Sequence, residues 1–260
     1  MRVLVTNDDG VHAAGILALA TALVADGHDV VVAAPLDDMS GSAAALGPGH
    51  SSGVRVEALV LADLGEAVPV FGVDGPPGMC VMAAHLEAFG PRPEIVASGV
   101  NHGSNTGRSV LFSGTVGAAL AAASFGMRGV AVSAKEGDPW RFATAAAFGA
   151  AAVRWAETSP EGTVLNVNVP SLPLAEVRGV RSGTLAPFGV VQTVLEGRDH
   201  ERLNFVLRST DEQLPADADT ALVNAGFVSV NALVGPRAVD AGDASAAMET
   251  RLARRQVNVS

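Results

Sequence analysis

At 260 residues, with 48% hydrophobic and 17% charged side chains, the chain has the means to bury a large core, which excludes a disordered segment. A formal net charge of -10 excludes a surface built to hold a nucleic-acid backbone, because phosphate contacts need clustered Lys and Arg. One cysteine, Cys80, excludes an internal disulfide and a thiolate zinc cluster, and predicts a reducing, cytoplasmic setting.

Residues 2–6 form a short continuous apolar run, the mark of a strand covered on both faces, and no signal-peptide apolar region is expected before it. Ile16, Leu19, Ala20 and Leu23 then recur at i, i+3, i+4 and i+7, one helical face, with Gly27 as the stop. Residues 29–34 (DVVVAA) are a second buried strand, ended by Pro35. Further strand-like runs at 70–73, 94–97, 129–132 and 163–167 alternate with helix-like stretches at 79–89, 116–125 and 141–157. The last stretch is shorter than a membrane span and carries Arg154, so no membrane partner is expected. This alternation predicts an α/β fold, a Rossmann-like three-layer α/β/α sandwich with a mainly parallel sheet.

Past about Pro170 the pattern changes. Residues 177–184, 189–195 and 202–208 read as shorter, more polar strands suited to hairpins, 227–233 alternates again, and the Ala-rich tail over 241–255 reads as a helix. The expected organisation is a Rossmann-like core over 1–174, then a β-rich appendage and terminal helix over 175–260 that complete the same domain.

Ligands of open parallel sheets bind beyond the carboxyl ends of the strands. Asn7, Asp8 and Asp9 follow the first strand directly, and Gly10 permits the bend that lets them converge. Adjacent carboxylates repel, so solvent, a basic partner or a cation must compensate them. Two carboxylates and an amide oxygen are hard ligands that suit Mg²⁺, Mn²⁺ or Ca²⁺ rather than zinc. The competing reading is a plain Asp-Gly turn.

The other strand ends favour the cation. Residues 35–42 (PLDDMSGS) offer hydroxyls and carboxylates, and 98–107 (SGVNHGSNTG) is a glycine-rich loop whose amides can approach an anion. Ser113, Gly114 and Thr115 open an Ala-rich helix, whose free N–H groups suit phosphate. A metal plus a phosphate cradle accounts for all four segments. His102, inside the glycine loop, is the candidate acid for a leaving group. His12 is expected to pack beside the turn, and His28, His50, His85 and His200 to lie on the surface. Trp140 and Trp155 suit helix packing, with the crevice border as the alternative place for Trp140, and no aromatic pair stands out for base stacking. A signalling receiver domain also ends its first strand in an acidic pair, but here Ser98 or Asn101 occupies the place of its phosphoacceptor Asp.

NDDGVHAAGI, the loop ending SGS, SGVNHGSNTG and FSGTVGAA resemble, in order, the signature segments of the SurE family, the survival-protein phosphatases also called 5′/3′-nucleotidases. The likeness continues more weakly through LNVNVP (165–170) and GFVSVNAL (226–233). The resemblance implies a metal-dependent phosphomonoesterase acting on nucleoside monophosphates or another small phosphomonoester, with one divalent cation per subunit, Mg or Mn, or Ca in a crystal. It implies metal ligands Asp8, Asp9, Ser40 and Asn101, catalytic roles for Asn7, Asp8 and Asp9, and a phosphate site at Asn7, Gly41, Asn105, Ser113, Gly114 and Thr115. It also implies a homodimer or homotetramer that exchanges C-terminal segments. The nucleophile is expected to be water, with an aspartyl-phosphate route as the alternative. Three departures stand out: VGPRAVDAGD (234–243) lacks the family's Asp and His four residues apart, Met79 replaces an acidic residue, and Phe112 stands where tyrosine is frequent. They keep open a second reading, a metal- and nucleotide-binding protein with weak or no turnover.

Overall fold

The computed structural model describes residues 1–47, 53–187, 191–198, 203–209, 214–236, 238–240 and 242–257. Strands β1 (Arg2–Thr6), β2 (Asp29–Pro35), β3 (Val56–Leu59), β4 (Val70–Val73), β5 (Ile95–His102), β6 (Arg128–Ala134) and β7 (Val164–Val169) alternate with helices α1 (Ala14–Ala25), α2 (Pro77–His85), α3 (Gly114–Ser124) and α4 (Phe142–Ala156). Beyond them lie β8 (Val180–Ser182), β9 (Val191–Arg198), β10 (Leu203–Ser209), α5 (Asp219–Asn224), β11 (Val228–Leu233) and α6 (Ala244–Val257). One nine-stranded sheet runs β3-β4-β2-β1-β5-β6-β7-β11-β8, parallel from β4 through β7. The mixed sheet with helices on both faces is the expected α/β sandwich.

Period-two geometry explains the layers. In β1, Val3 and Val5 face α1 and α4, packing with Ile16, Leu19, Leu23 and Val153. Leu4, between them, faces α2 and α3, packing with Met79, Cys80, Ala118 and Ala122. Fully burying a Leu or Ile stabilises the fold by about 1.5–3 kcal/mol, so these two dry layers hold the sheet in place. Burial also pushes the Cys80 thiol up to about 12, which makes it the small inert hydrophobe it packs as.

The structure corrects several expectations. β8 pairs in parallel with β11, and β11 is antiparallel to β7, so these strands extend the main sheet. Only β9 and β10 form a separate antiparallel hairpin. Sequence periodicity missed β3, an edge strand with exposed alternate residues, and α5, which is only six residues long. β5 runs on to His102, because a register shift after Ser98 lets Asn101 and His102 continue the pairing with Ser133 and Ala134. Both residues thus sit on a strand end rather than inside a loop. His28 is buried beside Asp26 and Glu157 rather than at the surface, and His85 stacks on Phe125. His50 and His200 lie outside the described residues.

Strand order reverses at β1. From β1 the chain moves outward through β2 to β4, then returns to β5 on the other side and continues through β6 and β7. The gap beyond the carboxyl ends of β1 and β5 is therefore the crevice where such sheets bind ligands.

Candidate active site

Asp8 leaves the end of β1 buried, at 3% exposure. Gly10 holds the following turn at φ +100°, a region that disfavours side chains, and Val11 N–H then donates to the Pro35 carbonyl at the end of β2 (2.8 Å). Asn7 is wholly buried and donates through Nδ2 to the Gly10 carbonyl (2.9 Å), bracing the turn from inside.

Three chain segments meet at Asp8. Thr115 Oγ1 donates to Asp8 Oδ1 (2.5 Å) and lies 3.2 Å from Asn101 Oδ1, so one hydroxyl stands between a carboxylate and an amide oxygen. A Cβ on Gly114 would sit 2.8 Å from Asp8 Oδ2 and 2.6 Å from Ser42 Oγ, so glycine is what lets the start of α3 approach the acid. Met39 N–H donates to the Asp8 carbonyl (2.7 Å), which brings the 37–42 loop against the pair. Ser40 and Gly41 are exposed on that loop, and Ser40 N–H donates to Asp38 Oδ1 (2.8 Å).

Asp9 has a different partner. Its Oδ1 is 3.1 Å from His102 Nδ1, and its Oδ2 is buried without a hydrogen-bond partner. Burial raises the Asp8 carboxyl above the usual range, with the Thr115 hydroxyl and the amides around Gly114 and Thr115 opposing the rise. Asp9 is also raised, by burial first and the Asp8 charge second, against the pull of His102. Asp38 is held below the usual range by its bonds from Ser40, so it stays charged beside this pair. Among the described residues neither Asp8 nor Asp9 has a Lys or Arg ion pair. Desolvated carboxylates with an unpartnered buried oxygen, next to amide and hydroxyl oxygens, fit a hard divalent cation.

The remaining candidates support the frame. Ser113 Oγ accepts from Val116 N–H (3.1 Å) as the N-cap of α3. Asn105 is bound on three sides: its N–H donates to Asn168 Oδ1 (2.8 Å), its Nδ2 to Ser133 Oγ (2.9 Å), and its carbonyl accepts from Asn166 and Asn168. Asn166 and Asn168 alternate on buried β7, and two amides in an apolar strand were the signal sequence reasoning passed over. It also missed Asp219, whose carboxylate accepts from Gly107, Ala186 and Thr220 N–H groups and so fixes the end of the 103–107 loop.

The family model described as "Survival protein SurE" matches residues 3–189, a span that holds every segment just described except Asp219. The chain belongs to the SurE family. It is 36% identical over 242 residues to 5'-nucleotidase SurE of Aeromonas hydrophila, covering 90% of this chain and 92% of that one. It is 40% identical over 230 residues to 5'-nucleotidase SurE of Anaeromyxobacter sp. (strain K), covering 86% of each. Among solved structures it resembles the SurE protein from Aquifex aeolicus, with a TM-score of 0.73, 27% identity, and 90% of this chain and 93% of that one covered. The matched span thus includes the ends of β1 and β5 and the start of α3.

Proposed function

We propose that this SurE-family chain is a metal-dependent phosphomonoesterase that hydrolyses nucleoside monophosphates to nucleoside and phosphate. The observation that carries the reading is the convergence of Asp8, Asn101 and Thr115 beside an Asp9 oxygen that is buried and unpartnered. Asp8, Asp9, Asn101 and Ser40 are the residues that would hold one Mg²⁺ or Mn²⁺ per subunit. Such a cation supplies Lewis-acid neutralisation of phosphoryl charge.

The chain's own groups supply the rest. The first turn of α3 directs backbone N–H groups at the Asp8 carboxylate, and the dipole at that helix end favours an anionic substrate group beside it. Asp8 or Asp9, beyond serving as ligand, would accept the proton of an attacking water. His102, held by Asp9 through Nδ1, keeps Nε2 for the leaving alkoxide. Phosphoryl transfer draws its acceleration from such positioning and electrostatics.

Residues 244–249 of α6 are exposed, and the β9–β10 hairpin stands apart from the main sheet; both suit a dimer or tetramer that exchanges C-terminal segments. No helix among the described residues is long and apolar enough to cross a membrane, and the buried Cys80 suits a cytoplasmic setting.

The test is phosphate release from a panel of 3′- and 5′-mononucleotides with Mg²⁺ or Mn²⁺, beside an Asp8→Asn variant. Metal-dependent release that the variant loses is expected. Release from none of them, with nucleotide still bound, identifies a binding protein instead.

A further inference from the structure

Trp140 stands out because it is a large, half-exposed aromatic placed against the reactive pair rather than in the core. Its indole lies parallel to the Phe142 ring, with centroids 5.4 Å apart and 1° between planes. His102 meets both rings edge-on, at 5.2 Å from Trp140 and 4.7 Å from Phe142. The same imidazole is 3.1 Å from Asp9, so the aromatic pair is two contacts from the carboxylates. Trp140 keeps 37% of its surface in solvent. A flat, part-exposed aromatic face one imidazole away from the Asp9 carboxylate matches a heteroaromatic ring carried one sugar away from a phosphate.

We infer that Trp140, backed by Phe142 and fixed by His102, is the platform on which the nucleobase of the substrate stacks. This rests on the nucleotidase reading and deepens it, by naming what separates nucleoside monophosphates from phosphomonoesters that lack a base. Stacking makes little distinction among bases, because each has a π-face, so the platform selects for a base without selecting strongly which one. The exposed Phe112, ahead of Ser113, is the rival platform; it has no ring partner among the described contacts, and an unbacked ring is less rigidly placed.

The test compares a nucleoside 5′-monophosphate with ribose 5-phosphate, which keeps the reacting group and lacks the base. Trp140→Ala is expected to raise KM for the nucleotide roughly 5- to 100-fold and to leave KM for ribose 5-phosphate in place, while Trp140→Phe retains most of the affinity. The chain has two tryptophans, so a Trp155→Phe variant leaves Trp140 as the only indole. Its fluorescence should be quenched by the nucleotide and not by ribose 5-phosphate. Equal losses on both substrates, a selective loss in Phe112→Ala in place of Trp140→Ala, or no base-dependent quenching would each overturn the platform while leaving nucleotidase activity intact. Base-dependent quenching without turnover of either compound would retain the platform and reject the nucleotidase reading.

Discussion

Asp9 shares one carboxylate oxygen with His102, at 3.1 Å, and keeps the other buried and unpartnered. Its neighbour Asp8 is instead committed to Thr115. Adjacent acids at one strand end therefore have different surroundings, and each difference has a measurable consequence.

A cation that compensates both acids stabilises the fold by mass action. At a hundredfold excess over Kd the gain is about 2.7 kcal/mol, visible as a rise in Tm when Mn²⁺ is added to chelated protein. In Asp8→Asn that rise should vanish, and kcat should fall on the order of 10²- to 10³-fold. A full metal-dependent Tm shift in the variant would remove Asp8 from the site.

The metal-free protein should carry a pH signature. Asp8 and Asp9 are both raised by burial, so their contribution to stability is whole below the usual carboxylate range and is lost as pH rises through the raised values. At neutral pH in chelator, Asp8→Asn/Asp9→Asn is therefore expected to be more stable than the parent, and the gap should close as pH falls. Denaturant titration across weakly acid pH reads the difference; a gap that widens on acidification contradicts the assignment.

His102 is tested through the leaving group. If its Nε2 protonates the departing alkoxide, His102→Ala should lose about 10²- to 10⁴-fold in kcat on nucleotides and much less on p-nitrophenyl phosphate, whose phenolate leaves without a proton. Equal losses on both substrates would assign His102 to holding Asp9 alone.

Gly114→Ala places a methyl 2.6 Å from Ser42 Oγ and 2.8 Å from Asp8 Cβ. Asp8 or α3 must move, at a cost of about 1–3 kcal/mol, and metal affinity should fall with stability. Gly235→Ala meets no atom within 4 Å and serves as the control, within about 0.5 kcal/mol of the parent.

Asp219 receives three backbone N–H groups in a buried position. Asp219→Ala leaves those donors without an acceptor and is expected to cost at least about 1–3 kcal/mol. Because one donor is Gly107, hydrogen exchange should speed up at 103–107 ahead of the sheet. Uniform exchange would show that Asp219 supports the whole fold rather than this loop.

Much of the frame was legible because its signals are local. The continuous run in β1, the i, i+3, i+4, i+7 face of α1 and the Ala-rich α3 each follow from neighbours a few residues apart. Asp8 and Asp9 could be named as cation ligands for the same reason, since both follow one strand end directly, whereas Ser40 and Asn101 were named through the resemblance to the SurE family. β3 and α5 were missed because a half-exposed edge strand and a six-residue helix carry too little periodicity. Asn101 and His102 looked like loop residues because glycine around them hides a strand that continues through a register shift.

The sequence by itself determined the fold class, the family and the chemistry available at the strand ends. Which atoms meet was decided only by the tertiary structure. Thr115 reaches Asp8 across 107 positions, Gly107 reaches Asp219 across 112, and Trp140 and Phe142 close on His102 from the far end of β6. Parallel strands return to the same edge only after a helix, so groups distant in the chain become neighbours by sheet order and register. That order is set by long-range burial of the two apolar layers, which no local window of sequence contains.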